Sequence, residues 1–267
     1  MSAAAPASEP NSEPNSAPNS APNPEPMDPR FRVELLAATP NPQQCIYAGM
    51  HQDYSEGFVA DDRGDWPDEK QAGEICVRRL LAGERGHYGP LEHAQIVLNV
   101  GWFPHSVMQQ ARTHRVGVSF DVQSMRYTGE RICRAADGSL DLEEVFYLRP
   151  VGDYSDRQGK KYHYGQEQRA IDAALCRNAA ERYRDLLASG FAEEHARGIL
   201  PFDYRQHFVV SFTLRALLHF LDLRAKLDAQ LEIRILCDLM WPHLQEWAPQ
   251  IAEWYEKSRL HRARLAP

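Results

Sequence analysis

The sequence predicts an α+β fold, with strands concentrated in its first half and helices in its second. Two short apolar segments, residues 31–36 and 94–100, have the length and pattern of strands. The second half instead carries long segments with apolar residues at helical spacing. A chain of 267 residues with 43% hydrophobic residues can bury the core of one large domain or two small ones.

The folded body is predicted to begin with the strand at residues 31–36, where apolar and polar side chains alternate. Residues 1–26 precede it and repeat Pro-Asn-Ser with Glu or Ala between copies. Such a segment has almost nothing apolar to bury, and its prolines interrupt helices and strands. We therefore expect residues 1–26 to form a disordered tail.

An irregular stretch at residues 51–68 leads to a predicted helix at 69–81, which Gly83 closes. A Gly-Pro turn then precedes the strand at residues 94–100.

A further helix is predicted to begin at Pro104, since proline is favoured in the first turn of a helix. That helix carries Arg112 and His114 to its C-terminal end. The candidate functional residues thereby fall at element ends and on the loop that follows, where rigid scaffolds usually present reactive groups.

The second half is predicted to contain three long helical segments. Apolar residues at helical spacing indicate helices at 166–187 and 206–223. Residues 228–254 show the same pattern, but Pro242 and Pro249 must kink or divide that helix. We assign most of the aromatic residues of this half to the core.

The segment 112–134 is basic in an acidic protein. It holds five arginines and two acidic residues, a local charge of +3, whereas the whole chain has a net charge of −7. The arginine side chain presents a planar fork of donors that suits phosphate or carboxylate. A solvated face of ordinary ion pairs is the alternative. We favour an anion site, because Gly117, Ser119, Ser124 and Gly129 favour loop geometry over a regular helix face.

Three more arginines stand beside apolar residues in the second half. Arg197 lies just before Pro201, and Arg215 and Arg224 are nine residues apart. At that spacing Arg215 and Arg224 lie on roughly opposite faces of one regular helix. An arginine at the end of an apolar helix commonly caps its last carbonyl groups, and this role is the simplest one for each of them.

Composition argues against several other classes. The five cysteines are widely spaced, and neither they nor the histidines show a metal-ligand spacing, so we expect no metal and a reducing compartment. No apolar run approaches the roughly 18 residues of a membrane span, and the N-terminus lacks a signal pattern, so we expect a soluble cytoplasmic protein. The acidic charge, with a pI near 5.9, opposes an extended nucleic-acid surface.

Four blocks of the sequence, in this order, resemble the flavin-dependent thymidylate synthase family and together span roughly residues 69–236. They are His87-x-Gly-Pro-x-Glu92-His93; Gln-x-x-Arg-Thr-His-Arg with Ser124-x-Arg126-Tyr127; Ala-Arg197-x-x-Leu-Pro201; and Arg215 with Leu223-Arg224-Ala225 and Ala229-Gln230-x-Glu232. The segment from Arg-His-Arg to Ser-x-Arg is the signature of the family.

This resemblance implies a central, mostly antiparallel sheet flanked by helices, the fold of the thymidylate synthase-complementing type, with residues 31–267 as a single catalytic domain. It implies an enzyme that methylates dUMP to dTMP. The carbon would come from methylenetetrahydrofolate, and the hydride from FAD that NADPH has reduced. It further implies a homotetramer whose active sites are assembled from several subunits.

The resemblance also assigns residues to roles. Arg224 and Ser124 match catalytic positions. The dUMP-binding positions match Gln109 or Gln110, Ser124, Arg126, Arg197 and Arg224. The flavin-side positions match His87, Glu92, Arg112, His114, Arg115, Asp121, Arg215 and His219. The first arginine of the signature corresponds to either Arg112 or Thr113, Thr213 stands where asparagine is common, and Asp228 stands where histidine is common.

Alternative chemistries use other groups of the same segment. Ser124 could act as a nucleophile, but no His/Asp pair at an identifiable spacing would activate it, so we prefer a role in which its hydroxyl binds substrate. Cys133 could act as a thiolate nucleophile, but it lies outside the matched family pattern. A flavin- or nucleotide-binding protein that has lost methyl transfer, and serves as a sensor or scaffold, is the alternative to the enzyme.

Overall fold

A computed structural model of the chain describes residues 27–83, 86–156 and 158–261. The predicted tail, residues 1–26, lies outside the described residues. The strands of the described part are β1 Arg32–Ala38, β2 Gln95–Pro104, β3 Val118–Val122, β4 Gly152–Ser155, β5 Lys161–Tyr164 and β6 Arg205–Thr213. Its α-helices are α1 Pro42–Gln52, α2 Glu69–Cys76, α3 His105–Ala111, α4 Met125–Thr128, α5 Glu130–Ala136, α6 Gln166–Ala188, α7 Glu193–Ala196, α8 Leu214–Arg224, α9 Leu231–Trp247 and α10 Pro249–Ser258.

The central sheet has the strand order β1-β2-β6-β3, and all neighbouring strands are antiparallel. Helices and an antiparallel sheet together confirm the α+β class. β4 and β5 form a separate antiparallel hairpin.

The predicted helix at 206–223 is wrong in its first half. Residues 205–213 are strand β6, which pairs with β2 and β3, and α8 begins only after Thr213. Phe208 and Phe212 lie four residues apart, a spacing that puts two side chains on one face of either a helix or a strand. The alternation of buried Phe208, Val210 and Phe212 is the strand period.

The change from strand to helix is built into Thr213. Its extended backbone ends β6, and its side-chain oxygen accepts a hydrogen bond from the amide of Ala216 at 3.2 Å. This is an N-cap, the role for which threonine and asparagine are both favoured. Threonine in place of the common asparagine therefore preserves the start of α8.

Several other predicted elements are confirmed with shifted bounds. The helix at 69–81 is α2, extended by a π-helical turn at Val77–Leu81. Pro249 divides the C-terminal helix into α9 and α10, while Pro242 lies inside α9. The helix α1 was not predicted, although Pro42 at its start is a usual first-turn residue.

The described residues form two hydrophobic clusters. The larger contains the buried residues of β2 and β6 with those of α8, α9 and α10. The smaller is centred on α5 and α6. No helix within the described ranges is both long and apolar enough to cross a membrane.

Candidate functional site

Arg224, the last residue of α8, joins that helix to the C-terminal end of α3. Its Nε donates a hydrogen bond to Nε2 of His114 at 3.1 Å. Its Nη2 donates to the carbonyl oxygen of Gln110 at 3.0 Å and to Oγ1 of Thr113 at 2.7 Å. These bonds fix the guanidinium, and Nη1 receives no partner among the described residues. Arg224 therefore does more than cap the carbonyl groups at the end of a helix. The N–H groups of its Nη1 remain available to donate hydrogen bonds to a ligand.

His114 is an uncharged hydrogen-bond acceptor in this cluster. Its side chain is buried, and burial, together with the nearby Arg224 and His219, lowers its pKa to about 4. Because Nε2 accepts the hydrogen bond from Arg224, the ring proton resides on Nδ1. The His219 ring lies 5.4 Å away, centre to centre, in a T-shaped arrangement.

The depressed pKa of His114 predicts a loss of stability in mild acid. Below about pH 6.5 the unfolded chain binds a proton at His114 that the folded chain does not bind until about pH 4. The free energy of unfolding should therefore fall by about 3 kcal/mol from this residue alone as the pH drops through that window. Urea unfolding of the wild type and of His114→Gln at pH 7 and pH 4.5 measures this change in the free energy of unfolding. The wild type should lose more of its free energy of unfolding than the variant between the two pH values. Equal losses would contradict a lowered pKa at His114.

A cavity of about 270 Å³ opens beside this cluster. Its walls combine imidazole rings, one arginine and aliphatic side chains: Thr113, His114, Arg115, Val116, Val118, Ala216, His219 and Leu223. The volume is just below the roughly 300–1,000 Å³ that is usual for ligand sites. The cavity of one chain can thus hold only part of a large ligand.

The two glutamines of α3 have different surroundings. Gln109 is exposed and contacts His105 at 2.7 Å. Gln110 is part-buried, and its Nε2 donates to Oε1 of Gln230 at 2.6 Å. Since the carbonyl of Gln110 also binds Arg224, Gln110 is the glutamine that belongs to the cluster.

Thr113, not Arg112, lies against Arg224. Its hydroxyl donates to the carbonyl oxygen of Gln110 at 2.8 Å while it accepts from Arg224. The Arg112 side chain is exposed at the end of α3. The residue that precedes His114 in the cluster is therefore Thr113, which contributes a hydroxyl group. The guanidinium of Arg112 is exposed to solvent.

Ser124, Arg126 and Arg197 lie at the ends of or on the short helices α4 and α7. Ser124 is the N-cap residue of α4, and Arg126 is exposed on that short helix, 5.7 Å from the Tyr127 ring. α4 packs on α7, whose C-cap residue is Arg197. Within the described residues no hydrogen bond joins these three side chains to Arg224 or His114. The predicted dUMP residues thus do not form one hydrogen-bonded cluster within the described part of a single chain.

The expected loop geometry of this region is only partly right. After β3 the chain forms the short helices α4 and α5. Arg131 is not part of an exposed anion site, because its guanidinium donates to the carbonyl oxygen of Arg205. Burial lowers its pKa. Arg131 therefore has a structural role.

The remaining flavin-side candidates are also divided. Arg215 forms an ion pair with Glu92 at 2.6 Å, at the opposite end of α8 from Arg224. His87 pairs with Asp53 at 2.8 Å. Asp121 is exposed on β3, opposite Val209.

His87 borders a different cavity from the one beside His114. This second cavity, of about 580 Å³, is lined by Tyr47, Met50, His51, Tyr54, Ile75, Arg78, Arg79, Leu80 and His87. It has no lining residue in common with the cavity beside His114.

The alternative nucleophile Cys133 does not gain thiolate character. Burial, then Glu130, raises the pKa of its thiol, although Arg184 acts in the opposite direction. All five cysteines are free, and no group of three or more His, Cys, Asp or Glu side chains in the described ranges could hold a metal ion.

The residues behind Gln110 had no predicted role. The side-chain oxygen of Gln230 accepts a hydrogen bond from Gln110, and the side-chain nitrogen of Gln230 donates one to the fully buried Glu232. Glu232 also accepts a hydrogen bond from the Tyr147 hydroxyl. The motif Gln230-x-Glu232 was part of the matched pattern and was the signal available. Its side-chain contacts could not be read from the sequence alone.

The sequence is similar to a known protein family and to several known proteins. The model of the family described as "Thymidylate synthase complementing protein" matches residues 34–250. A flavin-dependent thymidylate synthase of Halobacterium salinarum is 36% identical over 251 residues, which cover 88% of this chain and 100% of that protein. One of Haloarcula marismortui is 35% identical over 252 residues, covering 88% and 99%. The solved structure of the UMP/dUMP methylase PolB of Streptomyces cacaoi, bound with 5-Br dUMP, is similar to this chain with a TM-score of 0.67 at 22% sequence identity. The similarity covers 89% of this chain and 97% of that chain, and it shows a shared fold.

Proposed function

The chain belongs to the thymidylate synthase complementing protein family, and we propose from this membership that it is a flavin-dependent thymidylate synthase. It methylates dUMP to dTMP. The observation that carries the proposal is full-length similarity to relatives named for this activity, combined with a part-buried Arg224–His114–Gln110 cluster beside a cavity.

The finer parts of the proposal concern the co-substrates and the location. Methylenetetrahydrofolate is the carbon donor, and NADPH reduces the flavin. FAD, when bound, supplies the hydride. The five free thiols suit a reducing compartment, which supports a cytoplasmic location.

The residues around the smaller cavity fit part of FAD. Val116, Val118 and Leu223 offer an apolar wall to a ring system, and His114 and His219 offer imidazole rings. Arg115 and the exposed Arg112 could neutralise the charge of the diphosphate. The cavity is too small for the whole dinucleotide, so other residues must complete the site.

Arg224 has the arrangement needed to act on the uracil ring. Reduction and methylation of the base place negative charge on its carbonyl oxygens, which a fixed guanidinium stabilises. Nη1 of Arg224 is available for this contact, while Nε and Nη2 are held by the protein. Ser124, Arg126 and Arg197 would bind the phosphate, since arginine forks and a hydroxyl suit a phosphate group.

We propose a homotetramer with active sites shared between subunits. The support is that matched residues of a single chain line two different cavities, His87 at one and His114, Arg115 and His219 at the other. Val116, which lines the smaller cavity, and Tyr127, which follows Arg126, are large apolar side chains that are 80% and 84% exposed. Apolar residues exposed at a candidate site are typical of a surface that another chain covers.

Shared sites predict complementation between inactive variants. Glu92→Ala and Arg224→Ala should each abolish most dTMP formation as homo-oligomers, because each removes one part of the site. If the two parts come from different subunits, co-expressed mixed oligomers regain roughly a quarter of wild-type activity, since some sites then contain no substitution. Tagged mixed oligomers and dTMP formation measure this. Activity equal to that of the separate variants would contradict shared sites.

An anaerobic visible spectrum tests the proposed activity. The purified protein is examined before and after NADPH, and again after dUMP with methylenetetrahydrofolate. A flavin spectrum that bleaches with NADPH and returns only with both substrates, together with dTMP, is the expected result. Flavin that bleaches but never reoxidises without oxygen would favour the alternative protein without methyl transfer. Folded protein that binds no FAD would reject both.

A further inference from the structure

Gln110 is the first member of a chain of side chains that ends in the buried Glu232. Nε2 of Gln110 donates to Oε1 of Gln230 at 2.6 Å, and Nε2 of Gln230 donates to Oε2 of Glu232 at 2.7 Å. Oε1 of Glu232 accepts from the hydroxyl of Tyr147 at 3.0 Å and from Nη2 of Arg149 at 3.4 Å. We call the first three residues the Gln110–Gln230–Glu232 chain.

The chemistry at Glu232 sets the direction of every bond in this chain. A guanidinium can only donate, so the Glu232 carboxylate beside Arg149 acts as an acceptor. Burial, then Glu232 itself, raises the pKa of Tyr147, which keeps the phenol protonated as a donor. Gln230 must therefore turn its amide nitrogen to Glu232 and its oxygen to Gln110.

Ser106 supports the same direction independently. The Ser106 carbonyl oxygen, which can only accept, lies 3.4 Å from Nε2 of Gln110. The Ser106 hydroxyl oxygen lies 3.3 Å from Nε2 of Gln230. Both amide nitrogens thus face acceptors.

We propose that Gln230 and Glu232 are positioning residues that hold the Gln110 amide with its oxygen toward the substrate, and so make the site select a base with a ring N–H. The inference rests on the proposed function. Oε1 of Gln110 has no donor among the described residues, and the backbone of Gln110 binds Arg224 directly. A uracil N3–H can donate to that oxygen. Cytosine presents a lone pair at N3, so the two acceptors would repel.

Glu232→Gln reverses the chain without changing its size. The oxygen of the new amide at position 232 can still accept from Arg149 and Tyr147, which leaves the amide nitrogen facing Gln230. Gln230 then turns its oxygen to position 232 and its nitrogen to Gln110, and Gln110 turns its nitrogen to the substrate. Leaving a polar group mispaired costs about 1–3 kcal/mol, which converts to a rise of roughly 5- to 150-fold in the KM for dUMP.

The experiment measures kcat and KM for dUMP and the dissociation constants of dUMP and dCMP on flavin-loaded protein. We expect Glu232→Gln to raise the KM for dUMP more than it lowers kcat, and to reduce the preference for dUMP over dCMP by about tenfold or more. Glu246→Gln, an exposed glutamate on the same helix, is the matched control and should change neither. A folded Glu232→Gln with unchanged KM and unchanged preference would overturn the proposal.

Gln230→Ala provides a second test if Glu232→Gln does not fold. Without Gln230 the Gln110 amide loses its 2.6 Å partner and keeps only the 3.4 Å contact with the Ser106 carbonyl oxygen, so the preference for dUMP over dCMP should fall while flavin binding stays. An unchanged preference in this variant also overturns the proposal. Failure of the proposed function is distinguishable, because wild-type protein would then form no dTMP, whereas the two dissociation constants would still report the orientation of Gln110.

Discussion

Arg224→Ala is expected to retain FAD and to lose dTMP synthesis by a factor of roughly 100 to 1,000, the usual effect of removing one fixed donor that stabilises developing charge. The guanidinium is part-buried and held by His114, Gln110 and Thr113, so nothing else in the cluster can replace it. Turnover assays under saturating dUMP and the bound-flavin spectrum measure the two effects separately.

Arg224→Lys should recover little of this activity. An ammonium group is a compact charge and cannot bind three fixed partners while presenting a further planar donor pair. Arg177→Ala, an exposed arginine on α6, is the matched control and should leave turnover unchanged. Unchanged turnover in Arg224→Ala would remove Arg224 from the mechanism, and loss of both flavin and folded structure would make its role structural.

The helices and strands whose apolar residues follow only one spacing, helical or alternating, were predictable from the sequence. The helix at 166–187 is α6, and the strand at 31–36 is β1, each within two residues at either end. The segment 206–223 failed because Phe208 and Phe212 satisfy both periods, and only pairing with β2 and β3 decides between them. Pairing is a long-range property, so a local pattern cannot supply it.

The candidate site was predictable in its residue types but not in its geometry. The sequence indicated Arg224 and His114 from matched motifs, and these two side chains do meet. It could not distinguish Gln109 from Gln110, since the two are adjacent on one helix and differ only in which face is covered. It also counted Arg131 in an anion site, although that side chain is directed at a backbone carbonyl oxygen.

Asp28→Ala is expected to destabilise the fold by roughly 3–5 kcal/mol, the usual cost of leaving one member of a buried ion pair without its partner. Asp28 is 3% exposed and pairs with Arg205, whose side chain is fully buried. The hydrogen bond of Arg205 to the carbonyl oxygen of Trp102, at 2.7 Å, and its contacts with the faces of Phe31 and Tyr147 do not neutralise its charge. Denaturant unfolding of the wild type and the variant measures the loss.

Asp153→Ala is the matched control, because Asp153 pairs with His163 at 2.8 Å but is 88% exposed. An exposed pair of this kind contributes about 0–1 kcal/mol, so the two variants should differ by several-fold in their effect. Equal losses would mean that burial does not determine the contribution of the Asp28–Arg205 pair. The position of Arg205 makes the result relevant to activity: it is the first residue of β6, the strand that leads through Thr213 into α8 and Arg224. Asp28→Ala should therefore lower dTMP formation at temperatures where β6 loosens, although no hydrogen bond or ion pair within the described part of the chain joins Asp28 to a proposed site residue.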